Sequence, residues 1–191
     1  AIIAANAQYS DWKMMTDLLK KMQEEDLTPS ESTHVNVLTA YAHSGLFEDG
    51  KVYFDSIQGS SGRLNIEHFN CAIDLFARSG HLSEAKELLQ TMPIPPDVIG
   101  QTSFLSACKE HGNVKLGKLA FHQAILLDDN IAAAYIVMAN IYSEAGMQED
   151  AEKVKAMTLN VAPWQTPGMS ILVDVNGNLQ SFSIGKVRMH I

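Results

Sequence analysis

The strongest constraint on the fold of this chain is a short phrase that recurs at a nearly constant spacing. "YAHSGLFEDG", "FARSGHLSEA", "CKEHGNVKLG" and "YSEAGMQEDA" align with one another on a turn residue. Together with an earlier serine, the aligned positions are Ser10, Gly45, Gly80, Gly112 and Gly146, at spacings of 35, 35, 32 and 34 residues. A period in this range predicts a solenoid, in which each repeat is one supersecondary unit stacked on the next.

Each repeat has the pattern of two antiparallel helices joined by a tight turn. Apolar residues recur at helical spacing before the turn, as in "FNCAIDLFA", and again after it, as in "SEAKELLQTM". Glycine suits a helix that ends in a left-handed residue. Five residues beyond each glycine comes a small residue, which predicts close approach of the two helices: Gly50, Ala85, Gly117 and Ala151. We therefore predict an all-α fold, a right-handed α-solenoid of about five helix-turn-helix repeats.

The end of the chain has a different pattern. From Thr166 onward, two β-prone runs flank Asn176-Gly177, a pair that favours a type I′ turn. The sequence therefore predicts a small C-terminal β-hairpin after the last helices. No linker is expected to divide the chain into independent domains before about residue 163.

Composition limits the kinds of ligand that the chain can bind. The formal net charge is −8, from 14 Lys and Arg against 22 Asp and Glu. This charge argues against nucleic-acid binding by bulk attraction, which needs Lys and Arg facing phosphate, so any RNA contact must be local. No run of 18 apolar residues predicts a membrane span. The chain starts inside a predicted helix, so a targeting segment is expected elsewhere in the protein.

The sequence contains no pattern for catalysis, for metal binding or for a cofactor. Cys71 and Cys108 are isolated on predicted helices, which favours free thiols over a disulfide framework or a zinc site. Neither a Gly-rich phosphate loop nor a nucleophile elbow occurs. We predict no catalytic residue, no metal site and no cofactor in this chain.

One set of positions on the predicted first helices is mostly polar. Residues ten, six and two before each turn glycine lie on one side of a helix, because they are four residues apart. These positions, called here the first-helix stripe, are Val35, Thr39 and His43; Asn70, Asp74 and Arg78; Thr102, Ser106 and Glu110; and Ile136, Asn140 and Glu144. In a solenoid the first helices line one surface, so the stripe is the candidate ligand face. Its charge becomes acidic along the chain, so phosphate is expected to prefer the earlier units.

Two of these features have a purely structural alternative. Asp74 and Arg78 are spaced for an ordinary intrahelical ion pair, which contributes about 0.2 to 0.5 kcal/mol. Asp97 follows two prolines and is a candidate N-cap of the next helix. Both interpretations remain open from the sequence.

The order of the motifs resembles the C-terminal part of plant organellar pentatricopeptide repeat proteins of the class that alternates ordinary, long and short motifs. "STHVNVLTAYAHSGLFEDGKVYFDSI" is similar to the long motif, and "IEHFNCAIDLFARSGHLSEAKELLQTMPIPPD" to the final short motif. "SFLSACKEHGNVKLG" and "AAAYIVMANIYSEAGMQEDAEKVKAM" are similar to the paired E motifs. "TPGMSILVDVNGNLQSFSIG" resembles the PG box that precedes a DYW cytidine deaminase domain. The resemblance implies repeats over residues 1–97, E motifs over 98–165 and a PG-box-like tail over 166–191.

The resemblance also implies which residues contact RNA. In this family each unit contacts one base of single-stranded RNA through the residue ten before the turn and the last residue of the unit. In this chain the pairs expected to contact a base are Val35 with Asn65 and Asn70 with Asp97. Ser30, the last residue of a first unit, is also expected to contact a base. Asn followed by Asp in these positions resembles the combination that favours uracil. His43 and Arg78, the basic members of the stripe, are the candidate contacts to the RNA backbone.

The later units are expected to bind protein. The partner-docking candidates are Thr102, Glu110, Ile136 and Glu144, and the two glutamates make phosphate approach unfavourable there. The resemblance implies docking of a DYW-type cytidine deaminase or of a multiple organellar RNA editing factor protein. The deaminase signature, His-x-Glu with a downstream Cys-x-x-Cys, does not occur in this chain, so the catalyst is expected in trans or in a further domain.

We therefore hypothesise that the chain is a non-catalytic segment of an organellar C-to-U RNA editing factor, in plastids or mitochondria. It is expected to be monomeric by itself, to position a transcript and to recruit a partner protein. The alternative is a scaffold resembling tetratricopeptide repeats, or a structural subunit of an organellar assembly, without RNA recognition. "AYIVMANIYSEAGMQEDAEKV" is as similar to a tetratricopeptide repeat as to a pentatricopeptide one, and the acidic balance favours protein ligands.

Overall fold

The structure, a computed structural model, describes residues 12–59, 64–161, 169–173, 179–183 and 186–187. Ser10 and the predicted Asn176-Gly177 turn lie outside the described residues. The helices within these ranges are α1 (Trp12–Glu24), α2 (Glu31–Ser44), α3 (Phe47–Gly59), α4 (Ile66–Arg78), α5 (Leu82–Thr91), α6 (Val98–Glu110), α7 (Val114–Leu127), α8 (Ala132–Glu144) and α9 (Gln148–Val161). They contact each other as successive hairpins, α2 with α3, α4 with α5, α6 with α7 and α8 with α9.

Each of these hairpins turns on a glycine in the left-handed conformation. The φ angles of Gly45, Gly80, Gly112 and Gly146 are 67°, 85°, 62° and 75°. In each turn the amide of the next residue donates to the carbonyl five residues before it, as from Leu46 to Tyr41 at 3.1 Å. Glycine adopts positive φ without a steric penalty, so these turns can be tight. The prediction from the recurrent glycines is confirmed at these four positions.

The small residues after each turn bring the second helix close to its neighbours. A Cβ atom on Gly50 would lie 2.5 Å from Leu75 Cδ2 and 2.9 Å from Tyr41 Cβ, closer than carbon atoms pack. A Cβ atom on Gly117 would lie 2.9 Å from Ile141 Cδ1. The equivalent positions in the other units are fully buried: Met15, Ala85 and Ala151. Gly50 therefore sets the distance to its own first helix and to the first helix of the next unit.

The core lies between a layer of first helices and a layer of second helices. The first helices pack side by side, α2 on α4, α4 on α6 and α6 on α8. Phe54 on α3 meets Phe69 and Phe76 on α4 edge to face, with ring centroids 5.8 and 6.3 Å apart, a favoured aromatic geometry. Such contacts join one unit to the next, and the predicted α-solenoid is confirmed.

The C-terminal strands form a small antiparallel sheet. Strand β1 (Met169–Val173) pairs with β2 (Leu179–Ser183), with Ile171 opposite Ser181. Strand β2 pairs in turn with the short β3 (Lys186–Val187). The sequence predicts a two-stranded hairpin, so the third strand is a difference from that prediction. None of the helices in the described part of the chain is long and apolar enough to cross a membrane.

Gly50→Ala is expected to destabilise the chain, although alanine normally favours a helix over glycine by about 0.5–1 kcal/mol. The added Cβ would overlap Leu75 and Tyr41, and overpacking of this kind costs about 1–3 kcal/mol. Urea unfolding followed by circular dichroism measures the change. The control is Gly59→Ala, whose Cβ would meet no described atom within 4 Å. Equal unfolding midpoints for the two variants would contradict the close approach.

Candidate nucleic-acid interface

The first-helix stripe lies on helices that contact one another. Because α2, α4, α6 and α8 pack side by side, the four groups of stripe residues are neighbours in one layer of the solenoid. Val35, Thr39, Asp74, Thr102, Ser106 and Asn140 are half-buried, whereas His43, Arg78, Glu110, Ile136 and Glu144 are exposed. Asn70 is the buried member of the stripe, with 8% of its surface exposed.

Asn70 and Asp97, one of the predicted base-contacting pairs, bind each other. The Asn70 side chain on α4 donates from Nδ2 to both carboxylate oxygens of Asp97, each at 3.1 Å. Asn70 Oδ1 is buried and accepts no hydrogen bond from the described residues. A bond to a charged acceptor is stronger than a neutral one. The contact fixes the amide of one unit against the boundary of the next.

The Asp97 carboxylate has a second function, as the N-cap of α6. Asp97 Oδ1 accepts from the Gly100 backbone amide at 2.9 Å, with Asp97 in extended backbone. The structural alternative from the sequence is therefore confirmed. A carboxylate has about four acceptor sites, so the cap and the bond to Asn70 coexist.

The other predicted pair, Val35 with Asn65, is not joined by a hydrogen bond. Asn65 Oδ1 caps α4 by accepting from the backbone amides of Glu67 and His68 at 3.1 and 3.3 Å. His68 Nδ1 lies 2.6 Å from the same oxygen, and Asn65 Nδ2 donates to Glu31 Oε2 at 3.3 Å. The polar atoms of Asn65 are thus engaged by its own helix and by α2. The apolar Val35 side chain can add only van der Waals contact.

Ser30, the remaining predicted base-contacting residue, is also an N-cap. Its hydroxyl accepts from the Thr33 backbone amide at 3.3 Å and lies 3.0 Å from the Ser32 hydroxyl. Ser, Asn and Asp are the residues that cap helices best. The sequence predicts a capping function for Asp97, and Ser30 and Asn65 precede predicted helices in the same way.

Near the start of α2, a second polar contact joins this part of the solenoid. His34 Nδ1 lies 2.7 Å from Tyr53 Oη, and the His34 ring lies 6.1 Å from that of His68. Burial, together with the neighbouring His68, lowers the pKa of His34. Burial raises the pKa of Tyr53, so its phenol stays protonated. The His34 and Tyr53 side chains are therefore expected to be neutral near pH 7 and to add no charge for phosphate.

Arg78, a predicted contact to the RNA backbone, forms an ion pair on its own helix. Its Nε donates to both Asp74 oxygens, at 2.9 and 2.8 Å. The Arg78 side chain is 45% exposed and that of Asp74 20%, so the pair contributes little to stability. The intrahelical pair predicted from the spacing is confirmed. His43 is exposed at the same end of α2.

The stripe residues of the later units differ from those of the early ones. The Thr102 hydroxyl donates to the Val98 carbonyl of its own helix at 2.8 Å. Ile136 is 43% exposed, and Ile99, one turn before Thr102, is 62% exposed. Lys109 Nζ lies 3.7 Å from Glu144 Oε1. This contact, which the sequence analysis missed, reduces the negative charge of the stripe near Glu144.

The two cysteines carry no reactive thiolate at neutral pH. Cys108 is fully buried, and burial raises the pKa of its thiol to about 12. Cys71 is half-buried, with Sγ 3.4 Å from Thr39 Oγ1, and burial raises the pKa of its thiol as well. Both are free, as the sequence predicts. Since the thiolate is the nucleophile and metal ligand, neither side chain is suited to covalent chemistry.

Comparison with known proteins agrees with the repeat architecture. The family model for the PPR repeat matches residues 67–93, and the model for the E motif matches residues 111–172. Pentatricopeptide repeat-containing protein At2g22070 of Arabidopsis thaliana is 38% identical over 156 residues, which cover 81% of this chain and 20% of that protein. The chain belongs to the pentatricopeptide repeat family.

Other pentatricopeptide repeat proteins of Arabidopsis thaliana are named for organelles. The chloroplastic At3g49170 is 39% identical over 140 residues, covering 73% of this chain and 16% of that protein. The mitochondrial At5g19020 is 36% identical over 156 residues, covering 81% of this chain and 23% of that protein. This chain therefore spans about a quarter or less of the length of these three relatives.

Solved pentatricopeptide repeat structures share the fold. The crystal structure of maize PPR10 superposes with a TM-score of 0.70 at 20% identity, over 83% of this chain and 23% of that one. PPR10 in complex with an 18-nt psaJ RNA element gives a TM-score of 0.72 at the same identity, over 83% of this chain and 24% of that one. At this identity the likeness concerns the fold.

Asp97→Ala is expected to lower the free energy of unfolding by about 1 kcal/mol, because it removes the N-cap of α6. Asp97→Ser keeps a capping oxygen but is too short to reach Asn70, so this variant is expected to recover most of the loss. Urea unfolding of both variants measures the difference. A serine variant as unstable as the alanine variant would show that the cap is not what Asp97 contributes to stability.

Proposed function

We propose that this chain is the non-catalytic RNA-recognition and partner-recruitment segment of an organellar C-to-U RNA editing factor. In this proposal residues 1–97 bind and position single-stranded RNA, and residues 98–165 bind a partner protein. Residues 166–191 form a PG-box-like tail. The names of the chloroplastic and mitochondrial relatives support an organelle as its location. The RNA-bound maize relative supports RNA as the ligand. The segment supplies recognition, and a deaminase in trans or in a further domain supplies the chemistry.

The observation that carries the RNA proposal is the contact of Asn70 with Asp97. It joins an amide and a carboxylate that occupy the two predicted base-contacting positions of one unit. Uracil presents one N–H donor between two carbonyl acceptors, so a carboxylate and an amide side by side suit its edge. The remaining residues predicted to contact a base are Val35, Asn65 and Ser30. They have fewer polar atoms available to a base, because the Asn65 and Ser30 side chains bond mainly within their own helix caps.

Charge supports recognition of the bases more than attraction of phosphate. Arg78 is already paired with Asp74, and the whole chain carries −8. The proposed phosphate contacts are Arg78 and His43, which are few. Binding through so few cations loses little affinity as salt rises, because each neutralised phosphate contributes about one unit or less to the salt slope.

The later units support protein docking. Ile136 and Ile99 are exposed apolar side chains on first helices, and apolar anchors with polar surroundings are typical of protein interfaces. Thr102 bonds within its own helix, while Glu110 is exposed and Glu144 lies near Lys109. We propose that these residues contact a DYW-type cytidine deaminase or a multiple organellar RNA editing factor protein.

The second candidate function is a scaffold that binds only protein. The exposed Ile99 and Ile136 favour it as well, because they do not require an RNA ligand. The two candidates differ in whether the early units recognise bases.

Fluorescence anisotropy with a labelled U-rich oligonucleotide and a matched C-rich one tests RNA recognition. Asn70→Ala and Asp97→Ser are expected to weaken U-rich binding by about tenfold, the equivalent of one hydrogen bond to a charged group at roughly 1.5 kcal/mol. Asp97→Ser keeps the α6 cap, so folding is not in question. Glu144→Ala, in the later units, is expected to leave the preference for uracil unchanged. If neither early variant alters binding, the protein scaffold is the better description.

Size-exclusion chromatography with a multiple organellar RNA editing factor protein tests the docking proposal. The two proteins are expected to co-elute at micromolar concentration, and Ile136→Asp is expected to separate them, because it places a charge in the apolar contact. Val52→Asp is the matched control, since Val52 is 68% exposed on the second-helix layer. Separate peaks for the unmodified proteins would reject this partner.

A further inference from the structure

Gly100 is a glycine that the backbone does not require. It lies in the first turn of α6, three residues after the cap Asp97, and its φ is not in the left-handed region. Glycine is a poor helix former compared with residues that carry a Cβ. The corresponding positions of the other described units hold Thr33, His68 and Ala134. The use of glycine at this position therefore points to a steric requirement.

The space left by the missing side chain is filled by Asn70. A Cβ atom on Gly100 would lie 2.6 Å from Asn70 Oδ1, which is too short for a carbon and an oxygen. The next atoms, Ile73 Cδ1 at 3.4 Å and Asp97 Oδ1 at 3.6 Å, would be in ordinary contact. The clash is thus confined to the Asn70 carboxamide. That carboxamide is the group that donates to Asp97.

The preceding unit boundary has a side chain at this position. There the equivalent residue is His68, which is 1% exposed. Its Nδ1 lies 2.6 Å from the cap Asn65, and its ring lies 6.1 Å from His34 on α2. The imidazole thus lies near both the cap and the first helix of the unit before. At that boundary the cap bonds to His68 and to Glu31 on α2, and the stripe residue is the apolar Val35.

We infer that Gly100 is a positioning residue for base recognition: its missing side chain lets the Asn70 amide lie against Asp97, and a side chain there would block this arrangement. The inference rests on the proposed RNA function of the Asn70 and Asp97 pair. Holding the amide before RNA arrives removes the entropic cost of ordering it on binding. The residue three after the cap then determines whether a unit boundary can form an amide–carboxylate pair.

Gly100→Ala tests this inference with two measurements. The variant is expected to fold with little change in its thermal midpoint, because the preference of the helix for alanine offsets the loss of the bond between Asn70 and Asp97. The side-chain amide resonance of Asn70, identified by its loss in Asn70→Ala, is expected to shift as its bond to Asp97 breaks. The preference for a U-rich over a C-rich oligonucleotide is expected to fall by about two- to tenfold, the range for one intramolecular hydrogen bond.

Gly59→Ala serves as the matched control and is expected to leave both measurements unchanged. In an Asn70→Ala background, Gly100→Ala is expected to have no further effect on RNA affinity, because the group through which it acts is gone. An unshifted Asn70 amide in Gly100→Ala would overturn the inference and leave the proposed function standing. A different outcome is that the Asn70 amide shifts in Gly100→Ala but the unmodified chain does not prefer the U-rich oligonucleotide. That result would reject the proposed function and base recognition, while Gly100 would still position the amide.

Discussion

The whole structure depends on how closely the second helix of each unit approaches its own first helix. The approach needs a left-handed glycine in the turn, such as Gly45, and a small residue five positions later, such as Gly50. Gly50 also faces Leu75 of the next unit, so one position sets the spacing within a unit and between units. Because protein interiors are close-packed, one added carbon atom at this position would displace both neighbours.

This spacing decides which polar groups meet. Asn70 and Asp97 are 27 residues apart in the chain, yet the fold places the last residue of this unit against the unit's own first helix. The carboxylate is held there by the N-terminus of α6 and by the Asn70 amide. A chain of net charge −8 thereby presents a defined set of polar groups. Recognition of a neutral base edge suits such a surface better than attraction of phosphate does.

Three unit boundaries, at Ser30, Asn65 and Asp97, share an extended backbone and differ in chemistry, and the boundary at Ile131 has a different backbone conformation. Ser30, Asn65 and Asp97 each cap the following helix with a side-chain oxygen, whereas Ile131 at the start of α8 makes no side-chain cap. The polar boundaries thus belong to the earlier part of the solenoid and the apolar one to the later part. The change from polar to apolar surface follows the proposed change from RNA to protein as the ligand. Side-chain substitution on a constant frame is how repeat proteins vary their ligands.

The sequence by itself determined the helical repeat, the four described glycine turns and the Asp74–Arg78 pair, because each depends on interactions within a few residues. The caps Ser30 and Asn65 were available from the same local signals. Only the tertiary structure decided that Asn70 bonds to Asp97, that Asn65 bonds to Glu31, and that Lys109 lies near Glu144. These partners are 27 to 35 residues apart, and their meeting depends on the phase of stacking and on side-chain rotamers. The need for glycine at position 100 likewise arises from a neighbouring unit, which no local pattern contains.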